Sequence, residues 1–291
     1  MPEGDTIHRT AGTLARALVG RTVDRFETGY AQLARADDQA AIAGRTVEAV
    51  WAEGKHLLIG FSGGLTLRTH MRMSGSWHIY RAGERWQRPR SEMRVLIETD
   101  AGSGTGIAAE RFVAVGFLVP VAEFLDDRAL ARSPALLRLG PDLLGDGFDP
   151  ALARQRLRAG PDQPMSEVLL DQSVAAGAGN VYRSEVLFLS QIDPALPASA
   201  LSDEKLDALF ALARKLMRAN ASGVDGAAGR IVTYSGLRRT TGRGDPSERL
   251  WVYGRGGKPC RRCGTPIAYR KTGPDARGLY FCLTCQRAGQ T

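Results

Sequence analysis

The first 125 residues pass from one helical apolar repeat to a series of short extended segments. Ile7, Ala11, Leu14 and Leu18 recur at helical spacing and predict a helix over 5–20, with Asp5 as its candidate N-cap. Segments that alternate or run apolar between turn residues predict strands at 47–51, 57–61, 65–69, 77–80, 93–99 and 112–121. Short strands at this spacing are typical of an antiparallel sandwich or barrel, which we place at residues 1–125.

Two glycine-rich strings in this part predict turns. Residues 62–64 read Ser-Gly-Gly between two predicted strands and indicate a hairpin turn. Residues 102–106 resemble a phosphate-binding loop, but no helix follows them. We therefore interpret them as a hairpin tip, because a phosphate loop requires a strand before it and a helix after it.

Helical periodicity dominates the second part of the chain. After a connection rich in Pro, Gly and Asp at 133–150, apolar spacing predicts helices at 151–159, 165–170, 180–191 and 203–221. Residues 222–247 carry Gly, Ser, Thr and Arg without apolar periodicity and predict a loop. The second domain is placed at 126–225 as a bundle of about four helices, and a basic loop with a cysteine module at 226–291.

The charge of the chain is concentrated near its C-terminal end. There are 39 Lys+Arg against 31 Asp+Glu, and residues 226–291 alone hold 13 of the former and 3 of the latter. This distribution favours a polyanionic partner such as nucleic acid, the alternative being a solvated basic face. No apolar run reaches the roughly 18–20 residues of a membrane span, and the N-terminus does not look like a signal peptide. We expect a soluble cytoplasmic protein with no membrane partner.

All four cysteines lie in the last segment as two Cys-x-x-Cys pairs. Eighteen residues separate the pairs, which are formed by Cys260 with Cys263 and by Cys282 with Cys285. This spacing suits a tetrahedral site of four thiolates on a hairpin, whereas the alternative is a set of coincidental or redox cysteines. Four protein ligands leave no open position, so the spacing predicts one structural zinc ion.

The N-terminal dipeptide offers a candidate nucleophile. If Met1 is removed, Pro2 presents an α-amine, whose pKa of about 8 leaves a useful unprotonated fraction at neutral pH. Such an amine can form an iminium with an aldehyde-like carbon, and Glu3 stands next to it as a proton donor or acceptor. The alternative is that Pro2 and Glu3 simply begin a helix.

A third candidate site lies at residues 177–185, which read GAGNVYRSE. A glycine turn before a helix presents backbone N–H groups, together with the Asn180 side chain, to an anion such as a DNA phosphate. The alternative is an Asn N-cap and a glycine turn between core helices.

These pieces occur in an order that resembles the formamidopyrimidine-DNA glycosylase/endonuclease VIII family. The matching strings are PEG at 2–4, GKHLL at 54–58, HMRMSG at 70–75, LDQSVAAGAGNVYRSE at 170–185 and VYGRGGKPC at 252–260. The resemblance covers nearly the whole chain. It implies an α+β fold with an N-terminal helix on a β-sandwich, a helix–two-turn–helix domain and a C-terminal zinc-finger hairpin.

The resemblance also implies an activity. The Pro2 amine attacks C1′ of a damaged nucleoside to form a Schiff base, Glu3 shuttles protons to the sugar, and Lys55 contacts phosphate and assists β,δ-elimination. The partner is damaged double-stranded DNA, and one chain acts as a monomer. Ala is abundant and 34 Arg stand against 5 Lys, which predicts a GC-rich bacterial genome. Together with a DNA partner, a bacterial source implies a cytoplasmic, nucleoid-associated protein.

The resemblance extends to residues that bind DNA. Met73 is expected to fill the gap left by the flipped base, Asn180 and Arg277 to clamp the flanking phosphates, and Arg277 also to belong to the catalytic set. His70 and Arg72 flank the wedge and join the DNA-binding set, although the sequence favours a packed or sheet-surface role for His70.

Departures from the family pattern bear on specificity. Many members continue Pro-Glu after Pro-Glu-Gly, whereas this chain has Asp5-Thr6, which leaves no carboxylate at position 6. The string DPRRFG of purine-oxidation members is absent, and residues 113–120 read VAVGFLVP. We therefore expect the endonuclease VIII branch and oxidised pyrimidines as substrates. The alternatives are a non-catalytic damaged-DNA-binding member of the same fold and a glycosylase for oxidised purines.

Overall fold

The computed structural model describes residues 2–101, 110–221, 238–241, 243 and 245–287, which form two compact units. One unit holds Pro2 and Thr6–Leu137, and the other holds Glu3–Asp5, Arg138–Ala221 and the described residues from 238 onward. The glycine string at 102–106 and most of the loop at 222–247 lie outside the described residues. The predicted division at residues 125 and 225 remains a prediction.

The first unit is a β-sandwich with helices attached. The elements from the N-terminus onward are α1 (Gly4–Leu18), β1 (Val23–Thr28), α2 (Ala31–Ala40), β2 (Val47–Glu53), β3 (His56–Phe61), β4 (Leu65–His70), β5 (Ser76–Arg81), β6 (Met93–Thr99), β7 (Phe112–Phe117), β8 (Val121–Asp126), α3 (Asp127–Ala131) and α4 (Pro134–Leu137). Two antiparallel sheets have the strand orders β1-β6-β7-β5 and β2-β3-β4-β8. Apolar side chains of both sheets and of α1, such as Ile97, Leu57 and Leu14, share one buried core, as expected for a sandwich. The predicted N-terminal helix and sandwich are confirmed.

One predicted strand is wrong. The apolar run at 112–121 is two strands, β7 and β8, which belong to different sheets. Leu118 has a left-handed φ of 46°, and Pro120 has no N–H to donate to a sheet ladder. Hydrophobicity alone does not reveal this corner, because all three residues of the connection 118–120 are apolar or Pro.

Helix α2 has little sequence signal. Leu33 is the buried residue of its ten, so no apolar stripe marks the helix. Strand β1 is similarly hidden, because Val23 and Phe26 are its buried side chains. The sequence analysis therefore predicts neither element.

The second unit contains the predicted helical bundle and the cysteine module. Its elements are α5 (Pro150–Ala159), α6 (Met165–Val168), α7 (Asn180–Leu189), α8 (Asp203–Ala221), β9 (Ala268–Thr272) and β10 (Arg277–Phe281). Leu206, Phe210, Ala213 and Met217 recur at spacings of three and four residues and form the buried face of α8. The predicted bundle and its four helices are confirmed.

Strands β9 and β10 form an antiparallel hairpin between the two cysteine pairs. Phe188 from α7 packs with Val252, Ile267 and the buried cysteines in a small core beneath this hairpin. The C-terminal hairpin predicted between the cysteine pairs is confirmed. Within the part of the chain that the structure describes, none of the helices combines the length and the apolar character needed to cross a membrane.

Candidate active site and DNA-binding elements

The Glu3 carboxylate binds the N-terminal end of helix α7. Glu3 is fully buried and accepts hydrogen bonds from the backbone N–H groups of Gly179 (3.0 Å) and Val181 (2.8 Å). The first N–H groups of a helix lack partners within the helix and carry the positive end of its dipole, so a carboxylate is favourable there. Glu3 therefore occupies backbone N–H groups that the sequence analysis offered to a DNA phosphate, and the Asn180 side chain remains as the predicted phosphate donor of this segment.

The glycines on either side of this contact are required by space. Gly4 donates its N–H to the carbonyl of Gly177 at 2.8 Å, and a Cβ on Gly4 would lie 2.9 Å from the Gly177 Cα. A Cβ on Gly179 would lie 2.6 Å from the Glu3 carboxyl carbon. The strings PEG at 2–4 and GAG at 177–179 thus fit each other closely. Pro2, which is partly exposed, precedes this fixed segment directly.

Asp5 belongs to a buried ion pair. Its two carboxylate oxygens accept from Nε (2.7 Å) and Nη2 (2.8 Å) of Arg238, and the Tyr182 hydroxyl donates to it at 3.1 Å. Burial, reinforced by the charge of Asp5, raises the pKa of Tyr182, so this hydroxyl keeps its proton. Asp5 is thereby committed to neighbours inside the second unit, and Thr6 supplies no carboxylate.

Asn180 and Arg277 lie on neighbouring elements. The Asn180 side-chain amide donates to the carbonyl of Gly278 at 2.8 Å, next to Arg277 at the start of β10. Arg277 is exposed and pairs with Asp275 at 2.7 Å. The structure therefore brings together the two predicted phosphate-binding residues, whose role remains a prediction.

Sequence reasoning missed two buried side chains that hold this arrangement. Arg183 donates to Oδ1 of Asn180, to the Thr272 hydroxyl (3.0 Å) and to the Gly278 carbonyl (3.1 Å). Glu185 accepts the backbone N–H groups of residues 251–253 at 2.8–2.9 Å. Their position three and five residues after Asn180 in the quoted string is the signal that was available.

Lys55 and His70 lie at one end of the sheet β2-β3-β4-β8. Lys55 occupies the tight turn between β2 and β3, where Gly54 has a φ of 58°. His70 pairs in register with His56, and their rings are 4.9 Å apart. Burial, followed by the charges of Arg72 and Lys55, lowers the pKa of His70 to about 4, and burial lowers that of His56 to about 3. Both imidazoles are therefore neutral at pH 7.

The loop 71–75 presents Met73 to solvent. Met73 is 76% exposed, whereas Met71 is 2% exposed and belongs to the core. Arg72 has a φ of 50°, and its N–H donates to Nδ1 of His70 at 3.0 Å. A neutral imidazole that accepts at Nδ1 carries its proton at Nε2. His70 thus has an N–H donor left beside Met73.

The four cysteines form a compact cluster. Their Sγ atoms all lie within 4.8 Å of one another, with 3.9 Å between Cys260 and Cys285 and 3.5 Å between Cys263 and Cys282. These distances exceed the 2.05 Å of a disulfide and lie near the roughly 3.8 Å between ligands of a tetrahedral site with Zn–S bonds of about 2.3 Å. Hydrogen bonds from Thr265 lower the pKa of Cys263 to about 6, whereas burial raises the pKa of Cys282 and of Cys285, so the geometry of the cluster is what supports a metal site. The cluster can hold a metal ion.

The predicted site residues are distributed over the two units. The second unit brings together Glu3, Asn180, Arg277 and the cysteine cluster. The first unit brings together Lys55, His70, Arg72 and Met73. Pro2 is counted with the first unit and is bonded to Glu3 of the second.

Comparisons with known proteins agree with this architecture. Residues 1–112 match the formamidopyrimidine-DNA glycosylase N-terminal domain, and residues 139–229 match the formamidopyrimidine-DNA glycosylase H2TH domain. The probable endonuclease 8 2 of Streptomyces coelicolor is 41% identical over 98% of this chain and 94% of the relative. The DNA-(apurinic or apyrimidinic site) lyase Nei2 of Mycolicibacterium smegmatis is 36% identical over 99% of this chain and 100% of the relative.

A solved structure has the same fold. The complex between the Lactococcus lactis Fpg and an abasic site containing DNA aligns with a TM-score of 0.75 at 23% identity, over 98% of this chain and 100% of that one. The two domain matches and the full-length relatives show that the chain belongs to the formamidopyrimidine-DNA glycosylase/endonuclease VIII family, in its endonuclease VIII branch.

Proposed function

We propose that this protein is a bifunctional DNA glycosylase and AP lyase of base-excision repair that removes oxidised pyrimidines through its N-terminal proline. The observation that carries the proposal is the Glu3 carboxylate held on the N-terminus of α7. It fixes an acid–base group beside Pro2 at a defined position in the fold. The relatives named endonuclease 8 and AP lyase support the same reaction class.

The chemistry requires the Pro2 nitrogen to be free. After removal of Met1, its lone pair attacks C1′, the N-glycosidic bond breaks, and the damaged base leaves with the bonding electrons and takes up a proton. The Glu3 carboxylate takes the proton from the Pro2 nitrogen and passes it to the sugar ring oxygen, so that the ring opens and an iminium forms at C1′. Loss of a C2′ proton then expels the 3′-phosphate, and a second elimination expels the 5′-phosphate.

Phosphate binding is assigned to residues of both units. Lys55 is a cationic donor at one end of the sheet β2-β3-β4-β8. His70 lies at the same end and offers a neutral donor, its Nε2–H. Arg277 and Asn180 supply donors on the finger hairpin and on α7. Such contacts position DNA without reading its sequence. Arg72 adds an exposed positive charge beside Met73.

Met73 is proposed as the wedge that enters the base stack. An exposed, flexible apolar side chain on a loop is the type of group that fills the space left by an extruded base. The preference for oxidised pyrimidines is supported by the absence of DPRRFG, since the corresponding residues 113–120 read VAVGFLVP. We propose that the protein acts as a monomer on damaged duplex DNA in the bacterial nucleoid.

The cysteine cluster is proposed to hold one structural zinc ion. Cys260, Cys263, Cys282 and Cys285 would hold the ion, and a shared ion would link the two Cys-x-x-Cys turns at the ends of the hairpin β9–β10. The hairpin carries Arg277, and Arg183 and Asn180 then connect it to α7. An ordered hairpin β9–β10 would therefore also hold the proposed phosphate-binding residues Arg277 and Asn180 in place.

Borohydride trapping tests the proposal. We would incubate the protein with two labelled duplexes, one with an abasic site and one with thymine glycol, and reduce the Schiff base to a stable adduct. A matched control carries an uncleaved N-terminal extension, which converts the Pro2 amine to an amide, and is compared with the same extension at the C-terminus. We expect adducts on both duplexes with the free N-terminus alone.

Other results would select the alternatives. An adduct at the abasic site but not at thymine glycol would contradict pyrimidine excision, and a duplex with an oxidised purine would then test that substrate. Tight binding of both duplexes without any adduct from correctly processed protein would refute the enzyme and support a damaged-DNA-binding member of the fold.

A further inference from the structure

A second loop braces the loop that carries Met73. In this second loop, residues 82–92 between β5 and β6, the side chain of Arg88 reaches the residues that follow Met73. The guanidinium of Arg88 donates from Nη1 to the Ser76 hydroxyl (3.0 Å) and to the Ser74 carbonyl (3.4 Å). Its Nε donates to the Glu92 carboxylate at 2.7 Å. Arg88 therefore joins the C-terminal end of its own loop to the residues that follow Met73.

Aromatic packing fixes the position of Arg88. Trp86, two residues earlier, stacks on Tyr80 with 6.2 Å between ring centroids and meets Phe117 edge-on at 5.6 Å. The N–H of Gln87 donates to the Tyr80 hydroxyl at 3.0 Å. Because Tyr80 and Phe117 are buried in the sheet, loop 82–92 is anchored at Trp86 and Gln87, the two residues that precede Arg88.

A third segment closes the cluster. The N–H of Leu118 donates to the carbonyl of Glu92 at 2.8 Å, which ties the connection 118–120 to loop 82–92. Gly75 lies against the same connection, since a Cβ on it would be 3.1 Å from the Leu118 oxygen and 2.6 Å from the Met71 oxygen. The Met73 loop is thus confined by neighbouring backbone at Gly75 and by the Arg88 guanidinium, which binds the carbonyl of Ser74.

We infer that Arg88 is a positioning residue that holds loop 71–75 in the shape from which Met73 enters the DNA stack. Met73 itself is exposed, so its position depends on the loop. A group that is already ordered loses less conformational entropy on binding, and supporting hydrogen bonds are the usual means of ordering it. The inference rests on the proposed function of Met73 and adds a residue that need not touch the lesion.

Stack opening gives a readout that does not depend on the chemical step. We would place 2-aminopurine next to thymine glycol in a duplex and follow its fluorescence rise when protein is mixed with the DNA. Arg88→Ala should slow this rise about tenfold, the effect expected for the loss of a hydrogen bond from a charged group. Arg85→Ala is the matched control, because Arg85 lies in the same loop, carries the same charge and is exposed. Its effect measures the loss of charge alone.

Two further variants separate positioning from other roles. Glu92→Gln keeps Arg88 and its charge but weakens the ion pair that orients it, so it should slow stack opening in the same direction with a smaller effect. In a Met73→Ala background, Arg88→Ala should add no further loss, because two residues that act through one step are not additive. Far-UV circular dichroism establishes that each variant is folded, and Glu92→Gln carries the test if Arg88→Ala unfolds the protein.

The outcomes distinguish the inference from the proposed function. Equal rates of stack opening for Arg88→Ala and Arg85→Ala would overturn the inference. The same would follow if Arg88→Ala slowed stack opening as much in the Met73→Ala background as in the unmodified protein. Borohydride trapping of the unmodified protein on the same duplex reports the function separately. Trapping without an Arg88 effect refutes the inference alone, whereas an Arg88 effect without trapping refutes the lyase and leaves the positioning role in place.

Discussion

Replacement of Asp5 by Asn is expected to destabilise the second unit by about 3–5 kcal/mol, the range for breaking a buried ion pair by removing one partner. Asp5 is fully buried, and both of its oxygens accept from Arg238, whose side chain is 12% exposed. The variant leaves the Arg238 charge buried without its counter-ion. With an m value of about 1.5 kcal/mol per M in urea, a loss of 3 kcal/mol lowers the unfolding midpoint by about 2 M.

Urea titration of the full chain, followed by tryptophan fluorescence and circular dichroism, measures this change. Asp203→Asn is the control, since Asp203 pairs with Arg154 and Arg158 but is 57% exposed, and such pairs contribute about 0–1 kcal/mol. A double variant with Arg238→Gln should recover part of the loss, because it removes the stranded charge. A midpoint for Asp5→Asn equal to that of Asp203→Asn would refute the argument that this pair is buried and coupled.

Three further predictions concern the site and its surroundings. Gly179→Ala should lower the trapping rate at an abasic site at least tenfold, because its Cβ would displace the Glu3 carboxylate, whereas Gly147→Ala, where a Cβ meets nothing, should not change it. The pKa values of His56 and His70 fall from 6.5 to about 3 and 4 on folding, so the unfolded chain takes up protons at a higher pH than the folded chain does. Stability should therefore be lost as pH falls from about 6.5 to about 4. His56→Gln should reduce this loss, measured by urea titrations at pH 7.5 and 5. Removal of metal by a chelator should abolish tight binding of lesion DNA, measured by fluorescence anisotropy, and added zinc should restore it; unchanged affinity would contradict the role of the finger.

Patterns of apolar residues predicted the elements that bury a stripe or an alternating face. Helix α8 and strand β6 have the bounds that the sequence analysis assigned, because their apolar residues recur over the whole element. Helix α2 was invisible because a single leucine covers its contact with the core. The break at Leu118 was missed for the opposite reason, since an uninterrupted apolar run conceals a left-handed residue and a change of sheet.

Candidate site residues were found where a residue type has its own chemistry. The cysteine spacing and the N-terminal proline point to a reaction or a ligand without any knowledge of the fold. Contacts between distant residues were not predictable in this way. Nothing in the string PEG indicates that Glu3 binds the N–H groups of residues 179 and 181, and nothing at Arg88 indicates a contact with Ser74.

The contact of Glu3 with α7 also orders events during synthesis of the chain. Glu3 and Gly179 are 176 residues apart, so the ribosome must translate past the start of α7 before Glu3 acquires its partners. Until then the first three residues are free of this contact. A chain that stops before α7 can expose a proline amine but cannot hold the carboxylate beside it. Under the proposed roles of Pro2 and Glu3, reactivity toward DNA then requires that translation has passed the helix that Glu3 caps.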